Sequence, residues 1–180
     1  MYRSVAVMQK YFSVIGYGNS GKTTLIKGLV KALRTRGYKI AVVKHDPKDH
    51  SAVDKKGSDT DLLWEAGSEA VILSSPSRLV LFRRTQNDLP LEEILPYCGE
   101  VDCVILEGYK GRPYPKVVLL SENEPLDLAD TEVLALVCKK GDEQKVYREF
   151  QEMDRPVICR DDIDGLADLL ERSLLRKSRK

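Results

Sequence analysis

The chain has 180 residues, with 29 basic and 28 acidic side chains and a formal net charge of +1, a size that suits one α/β domain with a continuous core. So even a balance carries no electrostatic footprint for a nucleic acid or a membrane surface, and neither is expected as a partner. No apolar run reaches bilayer length, and Arg3 and Lys10 without a small-residue cleavage site argue against a signal peptide, so the expected compartment is the cytoplasm.

Short, non-alternating runs of Val, Ile and Leu read as strands covered on both faces, as in a parallel sheet. The first, Phe12–Ile15, leads through a glycine-rich turn into a helix over Thr23–Arg36, with Leu25, Leu29, Ala32 and Leu33 on one face and Gly37 as its stop. A strand over Ile40–Val43 opens onto the polar segment 44–58, which holds almost no core residues. A long loop just after a strand is where ligands bind in α/β folds. A helix over Thr60–Ala66 ends at Gly67, followed by strands over Ala70–Leu73 and Leu79–Phe82 and a helix over Leu91–Tyr97. Strands over Cys103–Leu106, Val117–Leu120 and Val133–Val137 come next, then a helix over Glu143–Met153, a strand over Val157–Ile158 and a helix over Ile163–Arg176. This alternation predicts an α/β, three-layer fold with a mainly parallel sheet, and the turn Gly16-Tyr17-Gly18-Asn19-Ser20-Gly21-Lys22-Thr23 after the first strand makes it a P-loop NTPase fold. Leu79–Phe82 and Val117–Leu120 lack crossover helices, so some antiparallel edge structure is expected. The chain reads as a single domain over 1–180, with 1–10 as an N-terminal extension and Arg176–Lys180 as a solvated basic tail. Cys98, Cys103, Cys138 and Cys159 form no Cys-x-x-Cys pair and read as buried thiols in or beside strands.

The turn after the first strand is Gly16-Tyr17-Gly18-Asn19-Ser20-Gly21-Lys22-Thr23-Thr24, the pattern Gly-x-x-x-x-Gly-Lys-Thr. Its glycines let the backbone curl around a phosphate with successive N–H groups pointing inward. Gly18, Asn19, Ser20, Gly21, Lys22, Thr23 and Thr24 are therefore the expected nucleotide-binding residues. Lys22 would bridge the outer phosphates, the Thr23 hydroxyl would take one Mg²⁺ position, and the helix start would add its positive end. A second metal-side acid is needed at another strand end, and Glu107, in Cys103-Val104-Ile105-Leu106-Glu107-Gly108, is placed for it. Asp102 sits at the opposite end of that strand, where capping or solvent contact is expected.

Asp46 follows a strand in Lys44-His45-Asp46 and could reach the metal or orient the attacking water. His45 and His50, the only histidines, lie in the polar loop and read as solvated rather than as ligands. Base selection has one candidate, the strand end Cys138-Lys139-Lys140-Gly141-Asp142. Lys140 and Asp142 fit a guanine-reading [Asn/Thr]-Lys-x-Asp segment, in which the Asp accepts from guanine's ring N–H and amino group. Lys139 departs from that pattern, and a charged loop capping the next helix is the other reading.

These segments together resemble the molybdopterin-guanine dinucleotide biosynthesis protein B (MobB) family. The resemblance rests on the loop Gly16–Leu25, on Val43-Lys44-His45-Asp46 with Asp54 and Gly57-Ser58-Asp59-Thr60, and on Glu65-Ala66-Gly67-Ser68-Glu69-Ala70-Val71. It rests further on Leu106-Glu107-Gly108-Tyr109-Lys110 with Pro115-Lys116-Val117, while Pro156-Val157 and Asp162–Leu170 are similar to the family's closing strand and helix. It implies a GTP-binding accessory protein of molybdenum cofactor maturation, a homodimer working beside a MobA-like guanylyltransferase, with weak GTP hydrolysis. It also implies that Lys22, Thr23 and Glu107 hold GTP and Mg²⁺, and that Lys44, His45, Asp54, Asp59 and Lys110 line the site or its dimer neighbourhood. Ser58 stands where the family usually has lysine, so an anion contact is lost there or passed to Lys55 or Lys56. Residues before Met8 look like an addition to the family's usual start, with Met8 as an alternative initiator.

Three other readings compete. A small-molecule kinase would bring an arginine-bearing lid, and Arg78, Arg83, Arg84 and Arg112 are available without a compact lid segment. A metallochaperone GTPase would show Cys/His clusters, which are missing from this sequence. A nucleotide-gated adaptor that does not hydrolyse is the third. A partitioning-type ATPase is disfavoured because position 17 is Tyr and not a second loop lysine.

Overall fold

The computed structural model describes residues 10–49, 54–121, 128 and 132–175. Met8 and the rest of residues 1–9, His50, and the tail Arg176–Lys180 lie outside them. The described residues gather into two compact units: Asp46–Ile94 forms one, and those up to His45 and from Leu95 form the other.

The larger unit begins with β1 (Lys10–Ile15), α1 (Lys22–Thr35) and β2 (Ile40–Lys44). The smaller unit holds α2 (Asp59–Glu65), the strands β3 (Ala70–Ser75) and β4 (Arg78–Arg83), and the short helix α3 (Leu91–Ile94). The larger unit resumes with a 3₁₀ turn over Leu95–Cys98, then β5 (Cys103–Glu107), β6 (Lys116–Leu119), β7 (Val133–Cys138), α4 (Glu143–Glu149), β8 (Val157–Cys159) and α5 (Ile163–Leu170). Six strands pair in the order β2-β5-β1-β6-β7-β8, every pair parallel. Among the described residues, no helix is long and apolar enough to cross a membrane.

Both faces of this sheet are covered, which is why its central strands are uninterrupted apolar runs. On one face Phe12, Val14, Cys103, Ile105, Val117 and Val137 pack with Leu25, Leu29 and Leu33 of α1 and Leu166 and Leu170 of α5. On the other, Ile15, Val118, Leu136 and Cys138 pack with Val146 of α4. The helix read over Glu143–Met153 is α4 followed by a 3₁₀ turn over Gln151–Met153, because Asp154 turns into the left-handed region at φ 47°. The thiols of Cys103 and Cys138 are buried, and burial pushes them up to about 12 and about 11 respectively. They stay protonated near neutrality and act as small apolar groups.

The antiparallel element is not an edge of the main sheet. It is a separate hairpin, β3 with β4, in register from Ala70↔Arg83 to Ser75↔Arg78. Val117–Leu120, read beside an antiparallel edge, belongs instead to β6, an interior parallel strand between β1 and β7. A parallel crossover usually takes a dozen or more residues and a helix. Here the link 108–115 suffices because β6 starts late. Glu107 at the end of β5 is level with Val14, and Lys116 at the start of β6 is level with Ser13, so the chain steps back only one residue of strand height.

Candidate functional site

The loop after β1 has the curvature that its glycines imply. Asn19 and Gly21 both take left-handed backbone, at φ 60° and 98°. Gly16 is required for close approach: a Cβ there would lie 2.7 Å from the carbonyl of Leu119 and 2.9 Å from Ser20 Oγ. Gly21 occupies the N-cap of α1 with no side-chain cap, and the first turn carries no acidic residue. The positive end of a helix of 14 residues therefore keeps its backbone donors for an anion.

Lys22 folds back across the loop, its ammonium donating to the carbonyls of Gly16 at 3.0 Å and Tyr17 at 2.5 Å. Burial holds it below the ordinary lysine range; Glu107 opposes that shift and Lys44 adds to it. Those two causes place both residues within electrostatic reach of the ammonium. Thr23, the next residue, donates its hydroxyl to Glu107 Oε1 at 3.1 Å. Expectations drawn from two distant segments thus meet at one hydrogen bond.

The sheet explains why Glu107 is there. β5 lies between β2 and β1, with Glu107 opposite Lys44 on one side and Val14 on the other. Its carbonyl accepts from His45 N at 3.0 Å, and the next N–H, of Gly108, donates to Val14 O at 3.1 Å. The carboxylate leaves the sheet from a backbone tied on both edges. Asp102, at the other end of β5, accepts from Lys39 N at 2.8 Å while its own N–H donates to Lys39 O at 2.8 Å. It is thus tied to the residue that precedes β2, where helix capping or solvent contact was expected.

A hydroxyl and a carboxylate form an all-oxygen donor set, which fits a hard cation such as Mg²⁺. Among the described residues no three His, Cys, Asp or Glu side chains gather into a metal cage. A cation here would draw its remaining ligands from water and phosphate, as Mg²⁺ commonly does.

After Glu107 the chain turns sharply through Gly108 and Tyr109, at φ 95° and 58°, into the link 108–115. His45, read as solvated, instead stacks on Tyr109 with ring centroids 4.4 Å apart and planes 19° from parallel. Tyr109 also meets Tyr114 edge-on at 5.8 Å, and Tyr114 meets Tyr11 of β1 at 5.4 Å. Lys116 is 1% exposed. Its ammonium donates to the carbonyls of Arg112 and of Tyr114, the latter at 3.1 Å. Lys110 places its ammonium 4.4 Å from the ring centroid of Tyr17. Sequence reasoning missed the roles of Tyr17, Tyr109 and Lys116. The signal for Lys116 was a lysine opening an apolar strand.

At the end of β7, Asp142 N donates to Lys139 O at 3.1 Å in a tight turn, and Gly141 sits at φ 95°. Asp142 takes the N-cap position of α4 yet makes no side-chain cap bond. Its carboxylate is not consumed by capping, the alternative use of this loop. β7 lies two strands from β1, a lateral separation of about 10 Å.

The remaining candidates belong to the smaller unit. The Asp46 carbonyl accepts from Asp49 N at 3.2 Å. Asp54 is the hub of the turn into α2, accepting from the Thr60 hydroxyl, from Ser58 Oγ at 2.7 Å and from Lys55 N at 2.7 Å. Those bonds, led by that of Thr60, hold its carboxyl below the usual range. Ser58 caps α2 by accepting from Asp61 N, and Asp59 is the first residue of that helix.

A family model, molybdopterin guanine dinucleotide synthesis protein B, matches residues 11–139. The molybdopterin-guanine dinucleotide biosynthesis adapter protein of Haemophilus influenzae is 32% identical over 162 residues, covering 88% of this chain and 85% of that protein. A probable adapter protein of the same description from Bacillus subtilis is 32% identical over 154 residues, covering 83% and 84%. The crystal structure of Bacillus subtilis MobB superimposes with a TM-score of 0.73 at 28% identity, covering 93% of this chain and 99% of that one. The matched residues include the loop after β1, Glu107 and Lys110, and they end at Lys139, ahead of Lys140 and Asp142.

Proposed function

The chain belongs to the molybdopterin guanine dinucleotide synthesis protein B family, and on that footing we propose that it is a GTP- and Mg²⁺-binding adapter in the biosynthesis of that cofactor. The observation that carries the nucleotide half is the 3.1 Å hydrogen bond from Thr23 Oγ1 to Glu107 Oε1. It joins the phosphate loop to a strand-end carboxylate in the arrangement that a Mg²⁺-bound triphosphate requires. The adapter half is supported by the relatives from Haemophilus influenzae and Bacillus subtilis, described as an adapter and a probable adapter of this biosynthesis.

In this reading Gly18, Asn19, Ser20 and Gly21 wrap the phosphates with backbone N–H groups, and the start of α1, with Thr24, adds its positive end. Lys22 exchanges the carbonyls of Gly16 and Tyr17 for phosphate oxygens, a stronger charge-assisted bond. Thr23 and Glu107 would hold Mg²⁺, which supplies charge neutralisation between the outer phosphates. Lys140 and Asp142 read guanine from the end of β7, since Asp142 makes no cap bond. The cations placed at the site are lysines, so hydrolysis by the protein alone is slow and awaits an arginine from a partner. Asp46 remains the proposed water-orienting residue, and Lys44 and His45 flank Glu107.

A homodimer is part of the proposal, with the outer face of the hairpin as its contact. Ile72 is 62% exposed, Leu79 70% and Leu81 38%, and the register puts all three on one face. A contiguous apolar face of this kind marks a contact site. Asp54 and Asp59, in the same unit, belong to that neighbourhood, and the protein acts in the cytoplasm beside a MobA-like guanylyltransferase. The test is genetic with a chemical readout. Deleting the gene should deplete the dinucleotide form of the cofactor, and restoring wild type but not Lys22→Ala should return it. An unchanged dinucleotide pool would refute the adapter role.

A further inference from the structure

Resting on the nucleotide reading above, we propose that Lys110 reads the outermost phosphate and is the residue by which the site prefers a nucleoside triphosphate to a diphosphate. The geometry behind this is a convergence of cations on one loop residue. Tyr17 receives the Lys22 ammonium at its carbonyl, 2.5 Å away, and the Lys110 ammonium over its ring, 4.4 Å from the centroid. Lys44 is close enough to disfavour the charge on Lys22. Lys22, Lys44 and Lys110 thus bring three positive charges to the loop beside Glu107, a mutual repulsion that an added anion relieves.

Position decides which phosphate Lys110 meets. The loop amides and the helix start embrace the inner phosphates, and Lys22 bridges the outer two, leaving the free oxygens of the last to a further cation. Lys110 stands three residues beyond Glu107, whose carboxylate already meets Thr23 at the metal corner, with its ammonium over the ring of Tyr17. The group nearest that corner is the terminal phosphate. The link that carries Lys110 is also held in place. Tyr109 is stacked on His45, and Lys116 ties the carbonyls of Arg112 and Tyr114. The Lys110 side chain is exposed, and the contact that holds it is cation–π. That contact is weaker than a charge-assisted bond to a phosphate oxygen, so a triphosphate would displace it.

The experiment compares dissociation constants for GTP and GDP in Mg²⁺ by competition against a fluorescent nucleotide, for wild type, Lys110→Ala and Lys110→Arg. Lys110→Ala should weaken GTP about tenfold, the loss expected for one charged hydrogen bond. GDP should move less than about twofold over the same scale. Lys110→Arg should restore most of the preference, and thermal melts should show all three proteins folded. Equal losses for both nucleotides, or no loss for either, would overturn the role of Lys110 while leaving the phosphate loop intact. A wild-type protein that binds neither nucleotide would overturn the nucleotide reading and this proposal with it.

Discussion

β5 and the β3–β4 hairpin are built from the same kinds of residue and do opposite things with them. Ile105 in β5 is 0% exposed and Ile72 in β3 is 62% exposed. β5 lies between two parallel neighbours, under α1 and α5 on one face, and its apolar side chains are consumed by the core. Only at its end does it release a functional group, Glu107. The hairpin has one strand neighbour on each side of its turn and an outer face of Ile72, Leu79 and Leu81 that nothing in the smaller unit covers. An apolar run is a core statement where both faces are covered and a surface statement where one is not.

That contrast can be broken by experiment. Ile105→Ala leaves a cavity in a packed core and should cost about 2–5 kcal/mol in denaturant unfolding. Ile72→Ala, chemically the same change, should stay within about 0.5 kcal/mol for the isolated protomer. Equal costs would mean that the two runs are not differently used. At the site, Lys22→Ala should weaken GTP by about a hundredfold or more, roughly two charge-assisted bonds, as read by calorimetry, with the melting temperature unchanged. Leu79→Asp should shift the protein from dimer to monomer in sedimentation without unfolding it. A monomeric wild type, or a variant that stays dimeric, would remove the hairpin from the dimer proposal.

The smallest expected effect sharpens the contrast from the side of charge. Asp54 has a depressed pKa because Thr60, Ser58 and Lys55 donate to its carboxylate. A depressed carboxyl contributes stability above its unfolded value, and that contribution is lost as pH falls through the folded one. Amide shifts of Lys55 and Ser58 should therefore change below about pH 4 and remain flat above it. Asp54→Asn should abolish that acid step while leaving GTP affinity within about twofold. An unaltered titration in the variant would assign the step to another group.

Much of the fold and part of the site could be read from residue order. β5 needed only its last residue added, because Leu106-Glu107-Gly108 marks a strand end by a charge and a glycine. The meeting of Thr23 with Glu107 followed from two motifs whose chemistry requires each other. What escaped the reading has a physical reason in each case. β6 is interior and parallel because its start is staggered past that of β5, and a stagger leaves no trace in composition. His45 looks like a polar loop residue until Tyr109, turned through two left-handed residues, comes beneath it. Lys110 and Tyr17 are far apart in the chain, and a cation over a ring has no periodicity to detect. The hairpin's apolar residues matched a buried strand because burial depends on what lies opposite, not on the strand itself.

The central claim is that Thr23 and Glu107 form the metal side of a nucleotide site, and one titration tests it most directly. GTP is titrated calorimetrically into wild type and Glu107→Ala, each in excess Mg²⁺ and again in EDTA. Wild type should bind with micromolar affinity in Mg²⁺ and lose most of it in EDTA, whereas Glu107→Ala should bind weakly and almost equally in both. Wild-type affinity that is absent in Mg²⁺, or that does not change when the metal is withdrawn, would contradict the account.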